Sequence, residues 1–417
     1  MNNRNFILIL LFFEITSVNY LFSQSSWPSK SWSEAINLNS VLNSGNGVLE
    51  MSGLFWNPEL KRLYAVSDNG GLLVLKQNTI DDTFTQLASI TGLNGPEGIM
   101  QDNYTSNEFY TIDEKKYQIR KYSHSSDFST YTLSNSWNLL DSPSPMTDTD
   151  NTGPEGITFI PDQYLISIGF ISTATGNVYK SKKGMGGLVF IAHQKKGYVW
   201  VFDLNPGISN DFEYVGKYKT NEDESCDLSF DRSTGLLYIL HNTGDNYLEV
   251  TDMSTTIVSG ERKFVVKKEY NIPNPSGNDN IEGFAITPKF ADSSRVSVWL
   301  CRDVESGEST SYQKDCLRRF TPFKAEGVLN TTAIHSILEN SVQIGPNPAG
   351  NYINISFSPI INSKVFLKIY TLSGQLCIEK NICSGSETID ISVLNRGVYL
   401  IELNNDFDSY RSKIIKK

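Results

Sequence analysis

The sequence is short of residues that several common kinds of site require. Its 417 residues include four histidines and five cysteines, and none of these has the spacing of zinc ligands. Lys and Arg number 36 against 46 Asp and Glu, a formal net charge of −10. Proteins that bind nucleic acid need clustered cations, which this composition lacks. We therefore expect neither a zinc site nor a nucleic-acid partner.

Long hydrophobic runs and catalytic signatures are also scarce. No segment after the N-terminus has the ~20 apolar residues of a membrane-spanning helix, so we expect no transmembrane segment. Gly-x-Ser-x-Gly, His-Glu-x-x-His and phosphate-cradling glycine-rich motifs do not occur. The sequence alone leaves open whether the protein is an enzyme, and its catalytic residues, if any, are unknown.

The N-terminus has the features of an export signal. Arg4 supplies the positive start, Phe6 to Phe13 is wholly apolar, and the small residue Ser23 precedes Gln24. We interpret residues 1–23 as a signal peptide. The odd cysteine count leaves at least one thiol unpaired; Cys301 and Cys316 could bridge neighbouring strands, or each cysteine could be a small buried thiol.

A repeat dominates the region that follows. Five short segments share a start: Met51-Ser52-Gly53-Leu54, Pro96-Glu97-Gly98-Ile99, Pro154-Glu155-Gly156-Ile157, Cys226-Asp227-Leu228-Ser229 and Ile281-Glu282-Gly283-Phe284. Each is followed by further strand-like segments separated by polar turns, which predicts an all-β chain built as a propeller of four-stranded blades. The fifth unit lacks a fourth strand, and Trp32 to Leu38 is the candidate that would close the ring.

Five blades are favoured and six remain possible. The third unit carries an extra stretch, Phe170 to Gly187, that could be a surface insertion or part of a sixth blade. We place the β-propeller at residues 24–323 and a linker at 324–340, with a short helical turn near Ile334 to Leu338. After it, clean alternation such as Ile353, Ile355, Phe357 predicts a small immunoglobulin-like β-sandwich at 341–417.

The last ~75 residues contain a set of ordered motifs: Gly345-Pro346-Asn347-Pro348, Ile369-Tyr370-Thr371-Leu372-Ser373-Gly374, Leu394-Asn395-Arg396-Gly397-Val398-Tyr399 and the basic end Lys413-Ile414-Ile415-Lys416-Lys417. With these motifs the segment resembles the C-terminal sorting domain of the type IX secretion system of the Bacteroidetes. It implies recognition of residues 341–417 by the type IX machinery. The protein would then pass through the periplasm to an extracellular or outer-membrane-surface location, released or anchored.

The propeller resembles the SdiA-regulated and phytase-like esterase group. The similarity lies in Ser52-Gly53-Leu54, Tyr64-Ala65-Val66-Ser67-Asp68, the repeated Glu-Gly-Ile, and Leu228-Ser229-Phe230-Asp231. The sequence departs from the group at Asp227, where the pattern has glycine after serine.

Acidic residues recur at the blade starts. Glu97, Glu155 and Glu282 occupy one position of the repeat, while Glu50 and Glu224 lie two residues before the equivalent point in the other units. Carboxylates gathered around a propeller axis would raise one another's pKa values or require a cation. Calcium, which takes carboxylate, carbonyl and water oxygens, is the cofactor we expect. Alternatively, each glutamate caps backbone amides in its own turn and binds nothing.

Polar loops between the second and third strands should face the same side. They contribute the remaining candidate ligand residues, Asp68, Glu114, His193, His241, Arg302 and Asp303. A histidine near a carboxylate could act as a general base or a metal ligand, or simply hydrogen-bond a neighbouring loop.

Two functional hypotheses follow. The first is a binding or scaffold propeller whose acidic channel mouth holds calcium and whose loops contact an unknown extracellular ligand. The second, implied by the phytase-like resemblance, is a calcium-dependent phosphoester or ester hydrolase, in which Arg302 and Lys115 would supply cations beside the acids.

Overall fold

The computed structural model describes residues 24–42, 50–244, 246–273, 279–288, 296–324, 342–357, 365–372, 374–382, 386–404 and 409–417. The predicted signal peptide, the Ile334 to Leu338 turn and Cys383 lie outside these residues. The chain begins with strand β1 (Ile36–Asn37) and a 3-10 helix (Leu38–Val41). Two short α-helices follow later, α1 (Asp162–Ser167) and α2 (Thr310–Gln313).

Four antiparallel strands build each repeat. The first unit contains β2 (Met51–Asn57), β3 (Arg62–Ser67), β4 (Gly71–Gln77) and β5 (Phe84–Ile90). The second contains β6 (Gly98–Met100), β7 (Glu108–Asp113), β8 (Gln118–His124) and β9 (Tyr131–Asn138). The third contains β10 (Pro154–Pro161), β11 (Gly187–His193), β12 (Tyr198–Leu204) and β13 (Phe212–Lys219). The fourth contains β14 (Ser225–Asp231), β15 (Leu236–His241), β16 (Tyr247–Val258) and β17 (Glu261–Asn271).

The fifth blade closes the ring. It contains β18 (Ile281–Ile286), β19 (Val298–Arg302) and β20 (Leu317–Phe320), and β1 is its outermost strand. Ile36 pairs with Arg319 and Asn37 with Arg318, so the start of the chain completes the last blade. Five blades and this closure confirm the propeller prediction in the described part of the chain, and the sixth-blade alternative is wrong.

The extra stretch of the third unit is an insertion between β10 and β11. It begins with α1, continues through a single bridge between Ile171 and Val178, and returns to the sheet at Gly187. Phe170 and Tyr179 are buried in the core cluster shared with β11 and β12. The insertion therefore packs against the third blade and adds no blade of its own.

Hydrophobic contact between neighbouring blades forms the core. Five clusters of buried side chains each combine residues of two adjacent blades; in one of them Trp56 of β2 stacks on Trp299 of β19 at 4.7 Å between ring centroids. Burying these aromatic and aliphatic faces is the main favourable contribution to folding. No disulfide joins the described cysteines Cys226, Cys301, Cys316 and Cys377, so the suggested Cys301–Cys316 bridge is not formed.

The inner strands meet closely at the propeller axis. A Cβ atom built on Gly98 would lie 2.6 Å from the carbonyl oxygen of Glu155, in the next blade. Gly53 and Gly156 are crowded by the backbone of the next blade, whereas Gly283 is crowded by the Leu54 side chain of the first blade and by Cys301 Sγ of its own blade. Glycine recurs here because no side chain fits. The axis is thus closed by packed backbone at this level.

A second β-domain follows. It contains β21 (Val342–Gly345), β22 (Tyr352–Phe357), β23 (Val365–Thr371), β24 (Leu376–Ile382), β25 (Ser386–Asp390), β26 (Gly397–Asn404) and β27 (Ser409–Lys416). One sheet has the order β21-β22-β25 and the other β24-β23-β26-β27. Alternate residues such as Ile353, Ile355, Leu367 and Ile369 fill its own buried cluster. The predicted C-terminal sandwich is confirmed.

Candidate functional site

The repeated glutamates lie at one end of the propeller axis. Glu97, Glu155 and Glu282 immediately precede the crowded glycines at the starts of their inner strands. Register shifts interrupt the pairing at the start of β10 and β18, and such bulges redirect the side chains beside them. Glu97 is 7% exposed and Glu155 6% exposed. The close approach of the blades therefore brings carboxyl groups from three different repeats into one buried region.

Four further carboxyl groups lie around this centre. Glu50 hydrogen-bonds Asp68 of the β3–β4 loop, and Glu155 hydrogen-bonds Glu114 of the β7–β8 loop. Asp303, directly after β19, acts on Glu282 by charge repulsion. We call the seven residues the acidic mouth: Glu50, Asp68, Glu97, Glu114, Glu155, Glu282 and Asp303.

Burial and mutual repulsion shift the titration of these groups. Burial first, then the charges of Asp68 and Glu114, raises the pKa of Glu97 to about 8. Burial and the charges of neighbouring carboxylates raise the pKa values of Glu155 and Glu282 well above their ordinary range. The Lys115 ammonium partly offsets this effect at Glu97. The acidic mouth therefore either retains protons near neutral pH or requires added positive charge.

Two carboxylates of the acidic mouth have an unsatisfied oxygen. Oδ1 of Asp68 and Oδ1 of Asp303 are buried without a hydrogen-bond partner in the described part of the chain. The other oxygen of Asp303 accepts a hydrogen bond from Asn280 Nδ2 at 3.0 Å. Among the described residues, however, no group of three His, Cys, Asp or Glu side chains is already arranged to hold a metal ion. Coordination would require these side chains to move together.

Blades one and four depart from the glutamate pattern. Ser52 and Cys226 occupy the position of the glutamate, and the Ser52 side chain hydrogen-bonds Glu97. The Cys226 thiol contacts the carbonyl oxygens of Leu240 and Ile281 at 3.4 and 3.7 Å. The pKa of Glu224 is raised by burial, with no contribution from the acidic mouth. The structure thus gathers four of the five predicted metal residues and leaves Glu224 apart.

Asp227 fills the place of the missing glycine at the axis. Its fully buried carboxylate accepts backbone N–H groups of Leu54 at 3.3 Å, Phe284 at 2.8 Å and its own neighbour Leu228 at 2.7 Å. These donors belong to the first, fifth and fourth blades, so one side chain links three of them. We did not predict this role from the sequence, although the departure from glycine was its visible signal.

His241 belongs to a buried polar network behind the fourth blade. Its Nε2 lies 3.2 Å from Glu249 Oε2, and its Nδ1 lies 3.3 Å from Ser225 Oγ and 3.0 Å from the Glu224 carbonyl oxygen. Ser, His and Glu in this order are found in hydrolase triads. Ser225, His241 and Glu249 are each 0% exposed, so a substrate has no access to them. The network serves the packing of this blade.

His193 and Arg302 are also buried among other side chains of the propeller. Burial lowers the pKa of His193 to about 4, and the ring lies near Tyr117 and Trp200. Arg302 is 2% exposed and forms ion pairs with Asp279 at 3.2 Å and Asp315 at 3.1 Å. A buried, paired guanidinium cannot also receive an anionic substrate. Of the predicted ligand-face residues, Asp68, Glu114 and Asp303 lie at the acidic mouth, while His241 and Arg302 bind other groups. The buried Nδ1 of His193 has no hydrogen-bond partner in the described part of the chain.

Comparison with known proteins bears mainly on the C-terminal domain. Residues 343–417 match the family described as "Secretion system C-terminal sorting domain". No curated protein matches the chain. Among solved structures, a chain of the "Crystal structure of Nidogen/Laminin Complex" is 14% identical, covers 67% of this chain and 86% of its own length, and has a TM-score of 0.33.

The sorting domain establishes the destination of the protein. Residues 343–417 match this sorting-domain family. The chain is therefore exported to the cell surface or the extracellular space, and its C-terminal domain is recognised by the type IX secretion machinery. In the described residues no helix has the length and apolar character to span a membrane. The resemblance of the propeller to the SdiA-regulated and phytase-like esterase group stays a prediction.

Proposed function

We propose that this exported propeller is a binding protein whose acidic mouth takes up a calcium ion and presents the surrounding loops to an extracellular ligand. The observation that carries the proposal is the convergence of buried carboxyl groups from several blades at one end of the axis, where the charge of Lys115 offsets their repulsion only in part. Turn capping alone would not require acids from different blades to share one buried region.

Calcium suits this chemistry better than a transition metal. The acidic mouth offers carboxyl oxygens, with the Asn280 side chain at its edge, and no imidazole or thiolate among its seven members. Calcium accepts six to eight oxygen ligands in flexible geometry, and side chains carried by loops can rearrange around it. Bound calcium would replace the protons that the buried carboxyl groups otherwise retain.

Hydrolysis of a phosphoester or ester, dependent on calcium, is the alternative proposal. One observation favours it: Lys115 is exposed and its charge acts on Glu50 and Glu97, so it could attract an anionic substrate to the acidic mouth. The buried state of Arg302 and of the Ser225–His241–Glu249 network weighs against it. Phosphate release from a phosphoester in the presence of calcium tests it; without turnover, the binding proposal is the one retained.

A melting experiment tests the calcium site. We expect residues 24–417 to melt at a higher temperature in millimolar calcium than in excess chelator, since a ligand that binds only the native state stabilises it. Calcium at about 100 times its Kd adds about 2.7 kcal/mol, roughly a 5 °C rise for a domain of this size. Glu97→Gln, Glu155→Gln and Glu282→Gln should each reduce that rise.

Glu224→Gln is the matched control. Glu224 lies two residues before the equivalent position in the fourth blade but outside the acidic mouth. This variant should retain the full calcium response. If the unmodified protein melts at the same temperature in calcium and in chelator, the calcium proposal fails and the glutamates are structural.

A further inference from the structure

The two sheets of the C-terminal sandwich differ in their outward faces. Along β22 and β25 the residues that alternate with the buried ones are largely polar, and Thr388 Oγ1 donates to Asn354 Oδ1 at 2.7 Å across the two strands. This polarity is expected where an antiparallel sheet has one face in the core and the other in water. The outward face of the second sheet departs from the pattern at one end.

Apolar side chains there cross all four strands of the sheet. Tyr370 of β23 pairs with Leu376 of β24 on one side and with Leu400 of β26 on the other. Two residues before Leu400, Val398 pairs with Ile415 of β27. Residues that are paired across strands, or two apart on one strand, share a face of the sheet. We call these five residues the apolar band.

The apolar band lies outside the core of the sandwich. In the full chain Leu376 is 44% exposed, Val398 39% and Ile415 45%. The residues next to them in sequence point the other way: Tyr399 is 8% exposed and Ile414 1%. Contiguous apolar side chains on an otherwise polar surface mark a place that another molecule covers.

Charged groups border the apolar band. On one border, Arg411 Nε donates to Glu402 at 2.7 Å, so the two charges neutralise each other. On the edge strand β27, the exposed Lys413 lies directly across from Leu400, and the exposed Arg396 comes immediately before β26. Because interfaces pair an apolar centre with a polar rim of complementary charge, the fitting partner is a protein surface that is apolar in its centre and acidic at its edge.

We propose that the apolar band is the surface by which the type IX secretion machinery holds the C-terminal domain. Recognition by this machinery follows from the sorting-domain match, which does not say which surface is used. The outward face of the other sheet offers only Tyr352 among polar side chains. This proposal rests on the sorting domain alone and does not depend on calcium binding at the acidic mouth.

The test is export of the full chain from a bacterium that has a type IX secretion system. Leu376→Glu, Val398→Glu and Ile415→Glu each place a charge in the apolar band. We expect each to lower the ratio of exported to periplasmic protein at least about tenfold, corresponding to 1.4 kcal/mol of docking free energy. Melting curves of the purified variants show whether the sandwich is folded. Lys413→Glu, which changes only an exposed side chain at the border, should lower the ratio as well.

Tyr352→Glu is the matched control. Tyr352 is also a large side chain, 56% exposed, but it lies on the outward face of the other sheet. This variant should be exported like the unmodified protein. The proposal is overturned if the folded variants of the apolar band and Lys413→Glu are exported normally, or if Tyr352→Glu lowers export as much as they do. A dimer in sedimentation experiments that Val398→Glu dissociates would also overturn it, because a second copy of the chain would then cover the apolar band.

Discussion

At the scale of single residues, the titration of Glu97 makes the stability of the folded chain depend on pH. Its pKa of about 8 in the folded state exceeds the ordinary value of 4.5, so between these values the folded chain binds more protons than the unfolded chain. The contribution of Glu97 to the free energy of unfolding should therefore be highest below pH 4.5 and fall as the pH rises to 8. The expected loss is a few kcal/mol, because one unit of pKa shift corresponds to about 1.4 kcal/mol.

Urea unfolding in chelator across this pH range measures the slope. Glu97→Gln, which cannot ionise, should flatten it, and calcium should counteract the fall because it stabilises the ionised carboxylates. An unfolding free energy that is constant between pH 6.5 and 8, above the range in which His193 titrates, would contradict the shifted titration of Glu97. His193 acts in the opposite sense: its pKa of about 4 means that stability falls as the pH drops from 6.5 through 4.

The sequence predicted the positions of the acidic residues more accurately than the surroundings of His241 and Arg302. The repeated position of Glu97, Glu155 and Glu282 was sufficient to place them together, because homologous positions of blades surround one axis. Burial of His241 and Arg302 could not be predicted, since the repeat pattern does not link them to their partners Glu249 and Asp279.

At the scale of elements, the inner strands depend on glycine for their close approach. Gly98→Ala would place a methyl group 2.6 Å from the Glu155 carbonyl oxygen and 2.9 Å from the Ile157 amide nitrogen, both backbone atoms. Forced repacking of this kind costs about 1–3 kcal/mol or more. Chemical denaturation should show that loss, and a stability equal to that of the unmodified protein would mean that the blades can separate without penalty.

Gly307→Ala provides the comparison. Gly307 is exposed and a Cβ atom there has no neighbour within 4 Å. Its effect should stay within about 0.5 kcal/mol, as for most surface substitutions.

The strands were predicted correctly because the alternation of apolar residues within each segment and the repeat along the chain indicated the same elements. Alternating apolar residues and polar turns marked the second and third strands of each blade, and the missing fourth strand of the last unit implied closure by the N-terminal segment. The length of that closing strand was overestimated: only Ile36–Asn37 pairs, while Leu38–Val41 forms a 3-10 helix in which Asn37 caps the Asn39 amide. Asn favours such local caps over a sheet ladder.

At the scale of the whole molecule, the propeller and the sandwich have separate hydrophobic cores. The cluster of the sandwich contains only residues from 342 onwards, and the propeller clusters end at Phe323. We expect that removing the C-terminal domain leaves the melting temperature of the propeller unchanged. Calorimetry of residues 24–324 against residues 24–417 checks this; a clearly lower propeller transition in the shorter protein would show that the sorting domain stabilises it.

Closure of the fifth blade also determines when, during synthesis of the chain, the propeller can complete its ring. Ile36 finds its partner Arg319 only after nearly the whole propeller has been synthesised, and the Ser29 hydroxyl likewise bonds Pro322 O across 293 positions. Contacts so distant in sequence slow folding, because the intervening chain must be ordered before they form. Until then the fifth blade has an unpaired edge and the ring is open. The closing contact therefore joins the first strand of the propeller to its last, and the ring is complete only when both are present.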